Sequence, residues 1–227
     1  MTALTAGILL VDKPRGWTSH DAVAVVRGRL KIKTGHSGTL DPMATGLLVI
    51  LLGGATKKQD AFQKMPKTYE GEITLGAETD TWDAEGRVIK TAAVPQLLLS
   101  DIETAAAQLT GDIVQPVPFY SAKKVNGAAM YKAARAGNNI EKQTTVRVYG
   151  WRDIKFQDNK ITFTVNCGSG TYVRSLAQVM GRLLGAPAHL SALRRTACGG
   201  FEVAGALPAP ALKTMPAEEI LKCVKIV

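Results

Sequence analysis

Residues 146–184 read VRVYGWRDIKFQDNKITFTVNCGSGTYVRSLAQVMGRLL. Two largely apolar runs, Val146 to Phe156 and Ile161 to Cys167, flank Asp158-Asn159, a pair suited to a tight turn, and together they predict an antiparallel hairpin. Gly168-Ser169-Gly170 ends the second run. Val173, Leu176, Met180 and Leu183 then recur at helical spacing, which predicts an amphipathic helix over Tyr172 to Leu184 with those four inward. A hairpin feeding a helix departs from the strict alternation of a parallel sheet.

Outward from that stretch the same mixture continues. Ile8 to Val11 is a short apolar run halted by Asp12-Lys13-Pro14 and Gly16, a buried strand entering a loop, because Pro14 has no N–H for a ladder and disfavours helix at Lys13. Thr18 or Ser19 caps a helix to about Leu30, with Val23, Val26 and Leu30 on one stripe. Gly35 to Thr39 is too glycine-rich for a regular element, and Leu47 to Leu52 is a second buried strand. Tyr69, Gly71, Ile73 and Leu75 share one face of a half-buried strand. Ser100 and Glu103 are spaced as a capping box for a helix that Gly111 stops. Asn126-Gly127 suggests a turn, but Ala128 to Ala136 looks helical, so 115–145 is expected to be a protruding basic loop with a short helix. The expected class is α+β, a mixed and mostly antiparallel central sheet flanked by helices and loops, in one domain over 1–227.

Charge is distributed unevenly. The net charge is +9, yet residues 70–114 hold nine carboxylates against Arg87 and Lys90, a local −7. Residues 13–36 carry six basic side chains against Asp21, and 120–152 carry seven against Glu141. Such patches suit a polyanion, whose phosphates release counterions on contact; a well-solvated face that aids solubility is the alternative. No apolar run approaches the roughly 20 residues of a membrane span, and the first residues lack a basic-then-apolar pattern, so neither membrane insertion nor export is expected. Cys167, Cys198 and Cys223 form no C-x-x-C pair, so reduced thiols in the cytoplasm are expected.

Chemistry-bearing patterns are few. Gly168-Ser169-Gly170 lacks the third glycine and the following acid of a dinucleotide fingerprint and reads as a tight strand-to-helix turn. No phosphate-binding G-x-x-x-x-G-K-[ST] loop occurs. His20, His36 and His189 lack metal-ligand spacing, so no metal is expected. Asp41 lies in Gly38-Thr39-Leu40-Asp41-Pro42 without a local countercharge, with Arg174 as a candidate partner. Two readings stay open for it: an Asp-Pro turn opener, or a carboxylate held for chemistry.

Taken in order, several ungapped blocks resemble one family: GILLVDKPRGWTSHD (7–21), GHSGTLDPMATGLL (35–48), Lys67-Thr68-Tyr69, T-D-T-x-D-A-x-G (79–86), P-x-Y-S-A-x-K-x-x-G (118–127), C-x-x-G-T-Y-x-R (167–174) and Leu193-Arg194-Arg195. These resemble the bacterial tRNA pseudouridine-55 synthases, the TruB-like pseudouridine synthases, over about residues 7–200. The resemblance implies the pseudouridine synthase fold and an isomerase that detaches uracil from its ribose in the T loop of tRNA and reattaches it through carbon, with no cofactor.

It also implies roles. Asp41 matches the family's essential aspartate and His36 the histidine that stacks where a base has left, against the plainer reading of a loop histidine capping a backbone group. Tyr69 matches the tyrosine on the flipped base, which otherwise reads as core. Arg174 matches the arginine paired with the aspartate, against a surface arginine. Tyr172 and Leu193 match the uracil pocket, Lys13 lies in a block beside it, and the basic insertion around 115–145 clamps the RNA. About 27 residues follow Gly200, too few for the C-terminal PUA domain of longer members, so that domain is expected to be missing and recognition to centre on the T arm. A monomer binding tRNA, with neither metal nor membrane, is expected. Two rivals are a non-catalytic tRNA-folding chaperone and a nucleotide-binding oxidoreductase using Gly168 to Gly170.

Overall fold

The computed structural model describes residues 6–121 and 142–226, with the backbone of Lys124–Val125 and Ala128–Ala129. In chain order the elements are β1 (Ala6–Lys13), α1 (Ser19–Leu30), β2 (Thr34–His36), β3 (Thr45–Gly53), α2 (Gln59–Lys64), β4 (Lys67–Leu75), β5 (Ala77–Thr79), β6 (Val88–Thr91), α3 (Leu99–Gln108) and β7 (Gly111–Pro116). They continue as β8 (Lys124–Val125), β9 (Ala128–Ala129), β10 (Gln143–Gln157), β11 (Lys160–Cys167), α4 (Val173–Leu183), β12 (Ala188–Cys198), β13 (Phe201–Glu202), β14 (Leu207–Pro208), α5 (Ala217–Lys222) and β15 (Lys225–Ile226). The class is α+β with mostly antiparallel pairing. The sequence reading treats the chain as one catalytic domain; its contacts resolve two compact units, Met1–Glu70 with Leu193–Val227, and Gly71–Ala192.

In the first unit β1 pairs antiparallel with β3 from Ala6↔Gly53 to Lys13↔Gly46. Both strands are apolar at consecutive positions because both faces of this pair are covered. Leu9 and Val11 meet Leu48, Ile50 and Leu52 under Ala22, Val23 and Val26 of α1. The intervening Ile8 and Leu10 meet Leu47, Val49 and Leu51 on the opposite face, with Phe62 of α2. Thr18 caps α1 by accepting from Asp21 N (3.1 Å), and the Asp21 carboxylate accepts from Thr18 N (2.8 Å). β3 also runs parallel to β12 through Arg194↔Thr45 and Arg195↔Gly46. That approach is close enough to dictate a glycine: a Cβ at Gly46 would collide with the Arg195 backbone, and its φ of +99° disfavours any side chain.

In the second unit the strand order is β4, β11, β10, β7, with β10 antiparallel to both neighbours. The expected hairpin forms between β10 and β11, and Asp158 (φ 51°) and Asn159 (φ 59°) both take the left-handed backbone of a two-residue turn. The expected face of β4 also forms, with Ile73 and Leu75 buried and the Phe163 ring lying where a Cβ of Gly71 would go.

Three local expectations are corrected. The helix placed after Ser100 starts earlier, at Leu99, because the Asp101 carboxylate accepts from Leu98 N at 2.7 Å and anchors the first turn there. Leu183 is exposed and Leu184 takes the buried place, the helix having ended between them. Ala128–Ala129 return as a strand against Lys124–Val125 instead of starting a helix; the remainder of the expected helix lies outside the described residues.

Gly46→Ala should lower stability by about 2–3 kcal/mol, from left-handed strain plus the collision with Arg195. Gly28→Ala, within α1 with open space around it, should raise stability by roughly 0.5–1 kcal/mol. Urea denaturation of the two variants checks both signs.

Candidate active site

Asp41 sits half-buried in the loop between β2 and β3, and its carbonyl accepts from Ala44 N (3.1 Å), so the Asp-Pro pair does open a tight turn. The flanking backbone is held from three directions by buried polar side chains. Ser19, at the start of α1, donates its hydroxyl to Leu40 O (3.1 Å) and accepts from Leu40 N (2.8 Å). Arg195, 2% exposed, donates Nε to Leu47 O (2.7 Å) and Nη2 to Gly38 O (3.2 Å). Lys13, fully buried, donates Nζ to Trp17 O (2.6 Å), Pro14 O (3.0 Å) and Pro42 O (3.3 Å), while Gly16 N donates to Pro42 O (2.8 Å). Backbone atoms either side of Asp41 are thereby satisfied without a regular element. A loop held this way presents its carboxylate in one geometry.

His36 ends β2, and its Nδ1 accepts from Gly38 N (3.3 Å), so the backbone-capping reading of this histidine describes a contact that exists. The bond leaves the proton on Nε2. The ring meets His20 edge-on, centroids 5.6 Å apart. Burial, helped by the positive fields of His20 and Arg195, pulls the His36 pKa below its ordinary 6.5. It is therefore a neutral, flat ring at pH 7, the state suited to stacking. Tyr69 is buried on β4 and Leu193 is buried midway along β12.

In the second unit Arg174 is buried at the start of α4. Its Nη1 lies 3.5 Å from Asp83 Oδ2 and donates to Thr81 O (3.0 Å), and its Nη2 donates to Tyr120 O (3.2 Å). It is not the surface arginine of the plainer reading. Asp83 is held in turn by the Thr81 hydroxyl (2.7 Å) and Glu85 N (3.0 Å). The T-D-T-x-D-A-x-G block is thus a tight loop that builds an arginine socket, and Gly86 is required because a Cβ there would strike Thr81 and Asp80. Tyr172 precedes α4, and Gln115, 1% exposed, fixes that turn by accepting from Tyr172 N (3.3 Å) and donating to Gly170 O (3.1 Å). Gly168 to Gly170 forms the expected turn.

The sequence reading gave Ser19, Asp83, Gln115 and Arg195 no part as buried polar supports of these loops. For Arg195 a signal existed: Leu193 and Arg195 are two apart on a strand, so both face inward, and an arginine there must find carbonyls. Arg195 is spent on the core and Arg194 on Asp12 (2.7 Å), while Arg182 is exposed. Among the described residues no His, Cys, Asp and Glu group could hold a metal.

Residues 27–173 match the N-terminal domain of the TruB family of pseudouridylate synthases. The chain belongs to that family. TruB-family relatives extend the match to most of the chain: tRNA pseudouridine synthase B of Opitutus terrae is 45% identical over 218 residues, covering 95% of this chain and 90% of the relative. The Geobacillus thermodenitrificans protein of the same name is 47% identical over 210 residues, covering 87% and 68%. Among solved structures, the archaeal box H/ACA sRNP Nop10-Cbf5 complex aligns at TM-score 0.71 and 25% identity, and a Cbf5-Nop10-Gar1 complex at 0.72 and 27%. Each alignment covers 98% of this chain, which spans 60% of the matched chain. The family inferred from the sequence blocks and its pseudouridine synthase fold are those found, and a TruB-family pseudouridylate synthase is an isomerase.

Because folding lowers the His36 pKa, the unfolded chain takes up that proton first. His36 therefore subtracts stability as pH falls below about 6.5 and has no such effect above it. In an NMR titration His20→Ala should raise the His36 pKa toward 6.5; no movement would remove His20 as a cause. Asp83→Asn, which leaves Arg174 buried beside a neutral amide, should cost about 3 kcal/mol in urea denaturation.

Proposed function

We propose that this chain converts uridine to pseudouridine at position 55, in the T loop of tRNA, with Asp41 as nucleophile. Family membership supports the reaction class. The observation that carries the assignment to Asp41 is the loop around it, whose flanking backbone is anchored by Ser19, Lys13 and Arg195. Anchoring of that kind aims a reacting group in advance instead of at the moment of reaction.

The chemistry sets what the residues must do. One bond from ribose carbon to uracil nitrogen breaks, one from the same ribose carbon to uracil carbon forms, the proton leaves that ring carbon and the nitrogen gains one. Atoms and electrons balance, so no oxidant or energy source is consumed and no cofactor is needed. A carboxylate can form and release the transient covalent bond that lets the base turn over. The uridine must first leave its stack, at a cost of a few kcal/mol. His36, neutral and planar, fills the space left behind. Tyr69 stacks on the extruded base and accepts the departing proton.

The family resemblance assigns Arg174 to keeping Asp41 ionised and aimed, and Tyr172 and Leu193 to the uracil pocket. Lys13 supports that pocket from within, its ammonium donating to carbonyls of the neighbouring loops. The basic insertion around 115–145 closes over the T arm. The enzyme acts as a monomer in the cytoplasm.

Pseudouridine formation in a T-arm transcript, mapped by mass spectrometry, tests the assignment. The wild-type protein should form product, and Asp41→Asn should reduce the rate by a factor on the order of 10⁴ while RNA binding persists. Equal product from both proteins would reject Asp41 as nucleophile and favour the chaperone reading.

A further inference from the structure

Helix α4 begins without the usual supports. Its N-cap, Tyr172, makes no side-chain bond to the first turn, where serine, threonine, aspartate or asparagine would supply one. That turn holds no acidic residue and carries Arg174, a cation at the end of the helix whose dipole disfavours cations. Yet Tyr172 and Arg174 are the two residues of this unit that the family resemblance assigns to the site. The first turn must be held from outside the helix.

The end of β7 does this. Gln115 occupies an inward position of that strand, where alternation calls for an apolar side chain, and it is 1% exposed. Its amide works from both ends: Nε2 donates to Gly170 O (3.1 Å) and Oε1 accepts from Tyr172 N (3.3 Å). The two bonds bracket Thr171, so the turn cannot slide or rotate without breaking one of them. A carboxamide presents a donor and an acceptor side by side without charge, which neither an aliphatic side chain nor an ionised carboxylate can do. The residues that follow tighten the same grip. Pro116 O accepts from the Ser175 hydroxyl (2.7 Å), and Tyr120 O accepts from Arg174 Nη2 (3.2 Å). Asp83 and Thr81 hold the Arg174 guanidinium at its tip, whereas Gln115 acts at the other end, on the backbone from which Tyr172 and Arg174 project. An apolar residue would fill this strand position with no amide to satisfy; what the amide adds is a fixed place for the turn.

We propose that Gln115 is a positioning residue of the reaction, its amide setting through the Gly170–Tyr172 turn where Tyr172 and Arg174 stand. This rests on the function proposed above and adds to it a residue that touches neither the RNA nor the reacting atoms. Its contribution lies in the chemical step, because RNA already bound still has to meet groups held in register, and a misplacement of about 1 Å is enough for a loss of roughly a hundredfold.

Two substitutions break the pair of bonds by different means. Gln115→Met keeps an unbranched chain of similar length without the amide, and Gln115→Asn keeps the amide but withdraws it by one methylene. With a T-arm transcript each should lower kcat about ten- to a hundredfold while KM and the Kd for RNA stay within about twofold of wild type. The control is Ile102→Val, in the buried face of α3, which lowers the urea midpoint without touching the turn and should leave kcat unchanged. A merely structural role would instead make kcat follow the urea midpoint in all three proteins. Unchanged kcat in a folded Gln115 variant, a loss carried wholly by KM, or an equal fall of kcat in Ile102→Val would each overturn the assignment. Where one Gln115 variant does not fold the other decides, and failure of both to fold would make Gln115 a requirement of folding and overturn the assignment too. Failure of the wild type to form pseudouridine would overturn the function, whereas a normal kcat in Gln115 variants of an active enzyme would overturn this proposal alone.

Discussion

The loop that carries Asp41, the proposed nucleophile, has no helix or sheet to satisfy its backbone, and at the edge of a core each unpaired carbonyl or amide costs about 1–3 kcal/mol. Here that demand is met by side chains. The Lys13 ammonium gathers carbonyls from both the Pro14–Trp17 loop and the Asp41 loop, Arg195 ties Gly38 to the start of β3, and Ser19 bonds both backbone groups of Leu40. Two of these three groups carry a charge in an almost dry setting. Each is tolerated because it donates to two or more backbone carbonyls.

The same constraint explains the close packing beside the loop. Gly46 permits β3 and β12 to approach until their backbones nearly touch, and this places the Arg195 side chain under the Gly38–Asp41 segment. Strand pairing and loop geometry are thus one structure. The second unit repeats the strategy with different residues, since Gln115 fixes the turn before α4 and the Thr79–Gly86 loop supplies Asp83 to Arg174. In each unit the residues that the family resemblance singles out are held by buried polar groups behind them.

Charge follows a different logic from packing. The +9 net charge is dominated by exposed side chains, and within the first unit the acid-poor stretch from Arg27 to Lys58 concentrates it around β2. Buried cations such as Lys13 and Arg195 contribute to the formal sum without being available to a polyanion. Counting lysines and arginines along a sequence therefore overstates an RNA surface wherever some of them have been drawn into the core.

Hydrophobic periodicity determined most of the elements: the β10–β11 hairpin, the continuous apolar runs of β1 and β3, and the alternating face of β4 follow from which residues avoid water, a property each residue carries by itself. The spaced blocks likewise determined the family and singled out Asp41, His36 and Tyr69, because short ungapped motifs survive without knowledge of their contacts. Tertiary structure alone decided which polar residues are buried. Asp83 and Gln115 look like ordinary surface residues in sequence, and only packing shows that one meets Arg174 and the other fixes the turn before α4. It also moved the start of α3 to Leu99 and exposed Leu183, since helix ends depend on caps and neighbours instead of on periodicity. A residue's aversion to water is intrinsic, whereas the partner of a buried polar atom exists only once distant segments have been brought together.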